Sequence, residues 1–188
     1  KSEWPGVRML AASSNLSAVG KHLDGEVGGH RVLREKLEQV RDIDYILIDT
    51  SPSLNVLVIN AFCASDYLFI PLSSKFFSLQ GLSQTLGAFN KAKTRLNPHL
   101  ILLGLAFIIH DKRNALANEI VEKVREEYPS YIFDTLVNVN IKVEEAQVKR
   151  QPIIYYAPSD RGSQQYRQLG KEIEERIGRL QPVGVTHG

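Results

Sequence analysis

The feature that most constrains the fold is a set of short apolar runs without polar alternation. The most apolar is Ile101–Ile109, and Tyr45–Ile48 and Tyr67–Pro71 are of the same kind, with Pro71 expected to end its strand. A continuous apolar run indicates a strand that is buried on both faces, as in parallel sheets covered by helices. Val7–Ala12 and the shorter Ser130–Asp134 are predicted as two further strands.

Helical patterns separate these runs. Apolar residues recur at helical spacing, or turn residues mark a helix start, in Arg31–Arg41, Leu54–Ala64, Leu79–Leu96, Asn114–Tyr128 and Asp160–Leu180. Strands that alternate with helices predict an α/β fold, a doubly wound and mainly parallel sheet flanked by helices. We expect one domain over residues 1–180, followed by a disordered tail over residues 181–188.

Composition excludes several classes of protein. The 23 Lys and Arg residues against 21 Asp and Glu leave a net charge of +2, so any contact with nucleic acid requires a local basic patch. The single cysteine, Cys63, lies in an apolar run and is expected to be buried. No apolar stretch approaches the roughly 20 residues of a spanning helix, and the first ten residues resemble no signal peptide. The predicted compartment is the cytosol.

Open α/β sheets bind ligands beyond the carboxyl ends of their strands. In this sequence the rule indicates the loops Asp49–Ser53, Leu72–Gln80 and His110–Asn114. The five histidines have no metal-ligand spacing and are expected to be surface or packing residues. Phe76 and Phe77 are expected in the core, with stacking on a partner as the alternative.

The sharpest local motif is YILIDTSPSL, in which Asp49 follows an apolar run. An acid in this place suits the Walker B carboxylate of a nucleotide hydrolase, which binds Mg²⁺ and helps to orient the attacking water. An Asp that caps the following turn or helix is the alternative, and spacing alone leaves both open. No GxxxxGK[ST] phosphate loop occurs, and Gly25–His30 (GEVGGH) is predicted to be an ordinary loop.

Three stretches in order carry a resemblance. They are Tyr45–Leu86 with its DTSPSL turn, Arg95–Tyr128 with RLNPHL and HDKRN, and 138–173 with NVNIK, EEA and DRGSQQY. Together they resemble the ParA/Soj family of partition ATPases, within the MinD/ParA superfamily of deviant Walker A proteins. The resemblance implies a fold like that of P-loop nucleotide hydrolases.

The sequence also departs from that family. The family's Walker A loop and its D-x-D-P-Q strand do not occur, so the resemblance implies the C-terminal two-thirds of such a protein, without the first βα unit, or a natural truncation. Ser51 and Pro52 replace Pro-Pro. Asn138-Val139-Asn140-Ile141-Lys142 replaces P-R-N-V-R.

The resemblance assigns expected sites. Asp49 becomes the catalytic Walker B acid and Mg²⁺ ligand, and the expected nucleotide-binding residues are Thr50, Ser51, Pro52, Asp111, Asn114, Asn138 and Asn140. Asp111 taken alone also suits a surface turn. The expected DNA contacts are Lys142 and Lys171 with their neighbours Lys149, Arg150 and Arg161. A solvated helix surface is the alternative for these, since five glutamates lie among them.

The resemblance also implies a function. ATP and Mg²⁺ join two subunits into a homodimer that binds DNA nonspecifically, and a ParB-like partner stimulates hydrolysis. The protein would then be cytoplasmic and nucleoid-associated. One alternative is a non-catalytic paralogue or adaptor, since the phosphate loop is missing from the sequence and ATPase activity is left open. Another is a MinD-like positioning ATPase, but Gln181–Gly188 is not the basic amphipathic helix that membrane binding requires.

Overall fold

A computed structural model of the chain describes residues 4–51, 53–74 and 79–180. Backbone contacts divide the chain into two compact units. The N-terminal unit comprises Lys1–Asp66 and Thr85–Leu100, and the sheet unit comprises Tyr67–Gln84 and Ile101–Gly188. In chain order the elements are α1 (Leu16–Asp24), α2 (Val32–Leu37), α3 (Val56–Ala64), β1 (Tyr67–Ser73), α4 (Leu79–Arg95), β2 (Ile101–Ile108), α5 (Ala115–Glu127), α6 (Ile141–Val148), α7 (Ile153–Tyr156) and α8 (Arg161–Leu180).

A pair of parallel strands, β1 and β2, forms the centre of the sheet unit, as the apolar runs predict. Residues Leu103 and 105–107 of β2 are buried. On its other side β2 forms parallel bridges from Leu105 to Ile132 and, just beyond the strand, from His110 to Asn138. The segment 131–139 therefore lies next to β2 as a third, irregular row of the sheet. The predicted α/β class with a parallel sheet is confirmed.

Two predicted strands are wrong. Neither Val7–Ala12 nor Tyr45–Ile48 forms a strand, and Leu10 and Leu47 are 99% and 96% exposed. A strand needs a hydrogen-bonding neighbour, and within the described residues no ladder partner faces either segment. An apolar run predicts the tendency to form a strand, whereas the pairing depends on another segment.

Two strand ends also differ from the prediction. β1 continues past Pro71 to Ser73. β1 is an edge strand of the described two-stranded sheet, and the missing N–H of a proline is tolerated at such an edge. The predicted strand Ser130–Asp134 is reduced to the bridge at Ile132, because the chain is still turning where it reaches the sheet: the amides of Tyr131 and Ile132 both donate back to the carbonyl of Tyr128.

The predicted helices all form, with shorter bounds for the first, which is reduced to α2. α3 begins at Val56, and its cap is the side chain of Asn55, which accepts hydrogen bonds from the amides of Leu57 (3.0 Å) and Val58 (3.2 Å). The helix therefore begins two residues after its predicted start at Leu54. Cys63 in α3 is buried as expected, and burial raises the pKa of its thiol.

Within the N-terminal unit, one buried amide joins the Gly-rich loop to α3. The Nδ2 group of Asn60 donates to the carbonyls of Gly29 (2.8 Å) and Val56 (3.0 Å). Its Oδ1 atom accepts from the amide of Leu33 (3.1 Å). The loop Gly25–His30 consists of turns, which agrees with its interpretation as an ordinary loop.

Gly104 allows the closest approach in the sheet unit. The register between β1 and β2 shifts between Leu68 and Phe69, and Gly104 lies at this irregularity with φ +152°. A Cβ atom there would lie 2.4 Å from the carbonyl oxygen of Tyr131 and 2.7 Å from a guanidinium nitrogen of Arg176. Only glycine fits both the backbone conformation and the space.

We predict that Gly104→Ala lowers the free energy of unfolding by about 2–3 kcal/mol, since it adds both crowding and backbone strain. Urea denaturation followed by circular dichroism measures the change. Gly170→Ala in α8 is the matched control, because no atom lies within 4 Å of its added Cβ. Replacing a helical glycine with alanine is expected to stabilise by about 0.5–1 kcal/mol. Equal effects of the two substitutions would contradict the crowding argument.

Candidate functional site

The first group of candidates, Asp49, Thr50 and Ser51, lies in the N-terminal unit and is exposed. Pro52 lies outside the described residues. Asp49 does not follow a paired strand, as a Walker B acid would, since 45–48 forms none. It does not cap α3 either, because Asn55 does so. Its carboxylate and the two neighbouring hydroxyls are oxygen donors, which fit a Mg²⁺ ion that keeps water and phosphate ligands.

The second group follows β2 in the sheet unit. Asp111 forms a two-pronged ion pair with Arg113, with Nε–Oδ1 3.0 Å and Nη2–Oδ2 3.1 Å. Asn114 caps α5, and its Oδ1 atom accepts from the amide of Ala117 at 3.2 Å. Both side chains therefore have structural partners in this loop. The ion pair of Asp111 is also compatible with the alternative that Asp111 is a surface turn residue.

His110 is a buried polar residue that connects the ends of three segments. Its amide donates to the carbonyl of Val137 (2.9 Å), and its carbonyl accepts from the amide of Val139 (3.0 Å). Its ring atom Nδ1 lies 3.3 Å from Oγ of Ser74, just after β1. His110 is 2% exposed, which agrees with its predicted role as a packing residue. The sequence holds no signal that it organises the carboxyl edge of the sheet.

Asn138 and Asn140 differ in what their side chains contact. The carboxamide of Asn140 is used at both ends: Oδ1 accepts from the amide of Lys142 (2.7 Å), and Nδ2 donates to Asp160 (2.7 Å). Asn138 is held through its backbone, whose N–H donates to Oε1 of Gln165 (3.1 Å). In the part of the chain that the structure describes, the carboxamide of Asn138 has no hydrogen bond and is the one available to a ligand.

Three polar side chains of α8 hold the segment that leads to Asn138. Gln165 binds it as just described, and Glu172 accepts from the amides of Asp134 (2.9 Å) and Thr135 (3.0 Å). Arg176 donates to the carbonyls of residues 131 and 132. The sequence contains a signal for this, since these polar residues share helical spacing with Leu169, Ile173 and Ile177, which pack in the core.

The carboxyl group of Glu172 is almost fully buried and ionised. Burial by itself would raise its pKa, but hydrogen bonds from the amides of Asp134 and Thr135 and the charge of Arg176 outweigh burial. The pKa of Glu172 therefore lies below its ordinary value. The guanidinium of Arg176 also covers the ring of Phe133, with its Cζ atom 3.8 Å from the ring centroid.

The candidate DNA-binding residues fall into two groups. Lys142 donates to Glu145 (2.8 Å), which raises the pKa of the lysine, and Lys171 lies 3.8 Å from Glu175. The hydroxyl of Tyr156 also donates to Glu145, and the two donors lower the pKa of that carboxyl. The others are exposed and have no ion pair among the described residues: Lys149, Arg150 and Arg161.

The described residues lack a clustered metal site and a membrane-spanning helix. They contain no group of three or more His, Cys, Asp and Glu side chains that could hold a metal ion. No helix among them is long and apolar enough to cross a membrane. Phe76, Phe77 and the expected tail Gln181–Gly188 lie outside the described residues.

Sequence comparison identifies relatives. A family described as "AAA domain" matches residues 1–102. The chromosome partitioning protein ParA of Caulobacter vibrioides is 35% identical over 179 residues, which cover 94% of this chain and 67% of that protein. The chromosome-partitioning ATPase Soj of Treponema pallidum is 34% identical over 170 residues, which cover 90% and 67% of the two chains.

Structural comparison gives the same fold class. Cobyrinic acid a,c-diamide synthase from Mycobacterium smegmatis, with bound ADP and magnesium, superposes with a TM-score of 0.72 at 22% identity. The match covers 93% of this chain and 65% of that protein. The chain thus spans about two thirds of the length of the relatives that it matches.

We predict that Glu172→Gln lowers the free energy of unfolding at pH 7 by about 1–3 kcal/mol, because a buried amide loses a charge-assisted acceptor. The carboxylate stabilises the fold above the ordinary Glu pKa of about 4.3, and this contribution is lost as pH falls through the lowered folded pKa. The variant is therefore expected to lose less stability than the wild type between pH 7 and pH 3.

Urea denaturation at the two pH values measures both effects. Glu175→Gln is the matched control, since that side chain is 56% exposed beside Lys171 and a surface pair contributes little. An unchanged pH dependence in Glu172→Gln would show that the carboxylate does not hold this segment.

Proposed function

The chain belongs to the ParA/Soj family of partition ATPases, and we propose that it acts as an ATP-dependent DNA-partitioning protein of a chromosome or plasmid. The observation that carries the proposal is the 35% identity over 94% of the chain to a protein named for chromosome partitioning. The parallel sheet, shared with a solved structure that binds ADP and magnesium, supports a nucleotide-dependent mechanism.

In this proposal Asp49 is the catalytic acid and binds Mg²⁺, Thr50 and Ser51 lie beside the terminal phosphate, and Pro52 is a further nucleotide-binding residue. Bound Mg²⁺ would neutralise charge on the phosphate oxygens. In the sheet unit, the available carboxamide of Asn138 suits a nucleotide base edge, since it offers a donor and an acceptor side by side. The three other nucleotide-side residues position their loops through an ion pair or helix caps: Asp111, Asn114 and Asn140.

DNA binding in this proposal comes from phosphate contacts by Lys142, Lys149, Arg150, Arg161 and Lys171. Contacts of this kind give affinity that falls steeply with salt and carries little sequence preference. With a net charge of only +2, a single chain is a weak binder. A homodimer joined by ATP and Mg²⁺ presents two patches at once, and the second contact gains from effective concentration.

Release of DNA requires hydrolysis of the bound ATP. In this proposal a ParB-like partner stimulates that hydrolysis. The nucleotide would thus switch the protein between a DNA-bound dimer and a free monomer, with nucleotide and DNA binding coupled reciprocally. The corresponding location is the cytoplasm, in association with the nucleoid.

A non-catalytic paralogue or adaptor is the second candidate function. One observation favours it: Asp49 is exposed and follows no strand among the residues that the structure describes. An intact phosphate loop in the coding sequence would count against it.

For the full-length protein we predict duplex DNA binding that requires MgATP and weakens with salt. Asp49→Asn removes the Mg²⁺ carboxylate, so hydrolysis is expected to fall by about 100-fold or more. Phosphate release and fluorescence anisotropy with labelled DNA measure the two activities. Glu122→Gln, an exposed carboxylate of α5, is the control. Absence of salt-sensitive DNA binding with ATP would remove the basis of the partition proposal.

For the 188-residue chain alone we predict no binding of MgATP in calorimetry, because its sequence contains no phosphate-binding loop motif. Clear binding would mean that another loop holds the phosphates, and the assignment of Asp49 would then have to be replaced.

A further inference from the structure

The backbone around Asn138 is held from two sides. On one side, the amide of His110 donates to the carbonyl of Val137 (2.9 Å), and the amide of Val139 donates to the carbonyl of His110 (3.0 Å). On the other side, the amide of Asn138 itself donates to Oε1 of Gln165 in α8 (3.1 Å). These contacts together fix the stretch of backbone that carries the Asn138 side chain.

The His110 side of this junction is built into the sheet. His110 is buried, and its ring contacts Ser74 just after β1. The preceding residue, Ile109, has a φ angle of 54°, in the left-handed region. A β-branched residue keeps this conformation only where the surrounding structure imposes it. The position of His110 is therefore strongly determined by the fold.

The Gln165 side depends on one hydrogen bond from a flexible side chain. Ordering a glutamine costs conformational entropy, and a hydrogen bond that replaces one to water contributes only modest net stability. Asn138 and Gln165 are both only half-buried, so water could satisfy this N–H as well. The main effect of the bond is therefore on the position of Asn138 and much less on the stability of the fold.

The position of Asn138 determines how its carboxamide is presented. Gln165 occupies the backbone N–H of Asn138 and leaves the carboxamide without a hydrogen bond among the residues that the structure describes. A carboxamide offers a donor and an acceptor side by side. A group that is already held in place loses less conformational entropy when it binds a ligand.

We propose that Gln165 is a positioning residue for nucleotide binding: it holds Asn138 so that the Asn138 carboxamide meets the edge of the nucleotide base. The inference rests on the proposed function and adds to it a residue of α8 that acts through Asn138. Glu172 and Arg176 hold earlier residues of the same segment, whereas Gln165 is bonded to Asn138 itself.

The test measures two ligands on the full-length protein by calorimetry with Mg²⁺. The ligands are ATP and ribose 5-triphosphate, which has the same phosphates and ribose but lacks the base. Gln165→Ala removes the acceptor, and Gln165→Glu keeps an acceptor oxygen. Gln168→Ala is the matched control, since Gln168 is an exposed glutamine of α8 with no hydrogen bond in the described part of the chain.

We expect Gln165→Ala to weaken ATP binding about fivefold and to leave the binding of ribose 5-triphosphate within about twofold of the wild type. Gln165→Glu should keep the ratio of the two affinities, because its charge acts equally on two ligands with the same phosphates. Gln168→Ala should change neither affinity.

A double-mutant cycle separates positioning from a general structural effect. Asn138→Ala is expected to weaken ATP binding about tenfold, through the loss of the base contact. Adding Gln165→Ala to Asn138→Ala should then cause less than about a twofold further loss, because Gln165 acts through the side chain that is already missing.

Several outcomes would overturn the inference. Equal losses for both ligands in Gln165→Ala, or a full fivefold further loss in the Asn138→Ala background, would show a structural role. Failure of Gln165→Ala to fold, seen by circular dichroism, would also show that the bond serves the fold. If Gln165→Glu loses the ratio as Gln165→Ala does, the acceptor is not what positions Asn138.

The same experiment distinguishes this inference from the proposed function. Wild-type binding of MgATP that Gln165→Ala leaves unchanged removes the inference and leaves the proposed function in place. A full-length wild-type protein that does not bind MgATP removes both.

Discussion

The sheet unit depends on the contact between α8 and the irregular segment 131–138. That segment pairs with β2 along one side, so the backbone groups of its other side need partners as well. Gln165, Glu172 and Arg176 supply them, and the helix thereby replaces a neighbouring strand. The close approach of Arg176 in turn requires that residue 104 be glycine.

This contact also determines what the candidate site can offer. Because Gln165 holds the amide of Asn138, the Asn138 carboxamide stays available. The carboxamide of Asn140, two residues later, caps α6 and donates to Asp160. Asp160 in turn accepts from the amide of Gly162, so the two side chains connect the beginnings of α6 and α8. α8 thus carries both the support for the nucleotide-side loop and the candidate DNA contacts Arg161 and Lys171. Hydrogen bonds connect that loop directly to α8, so a displacement of the loop also affects the position of the helix.

Prediction from the sequence succeeded where the signal is local. Tyr67–Pro71 and Ile101–Ile109 are apolar throughout, and both became strands because each found the other as a parallel partner. The run Tyr45–Ile48 has the same character but no partner among the described residues, and it forms no strand. Pairing is a property of two segments, so one segment cannot reveal it.

The sequence by itself determined the family, the α/β class, the helices α2 to α5 and α8, and the chemistry available at each position, whereas α1, α6 and α7 were not predicted. Only the tertiary structure decided which polar side chains remain free to act, because their partners lie far along the chain. Gln165 is 27 residues from Asn138, and Asp160 is 20 residues from Asn140. The left-handed conformation of Arg150 also belongs to the folded chain, since the helix-ending hydrogen bonds of α6 impose it against the residue's own preference.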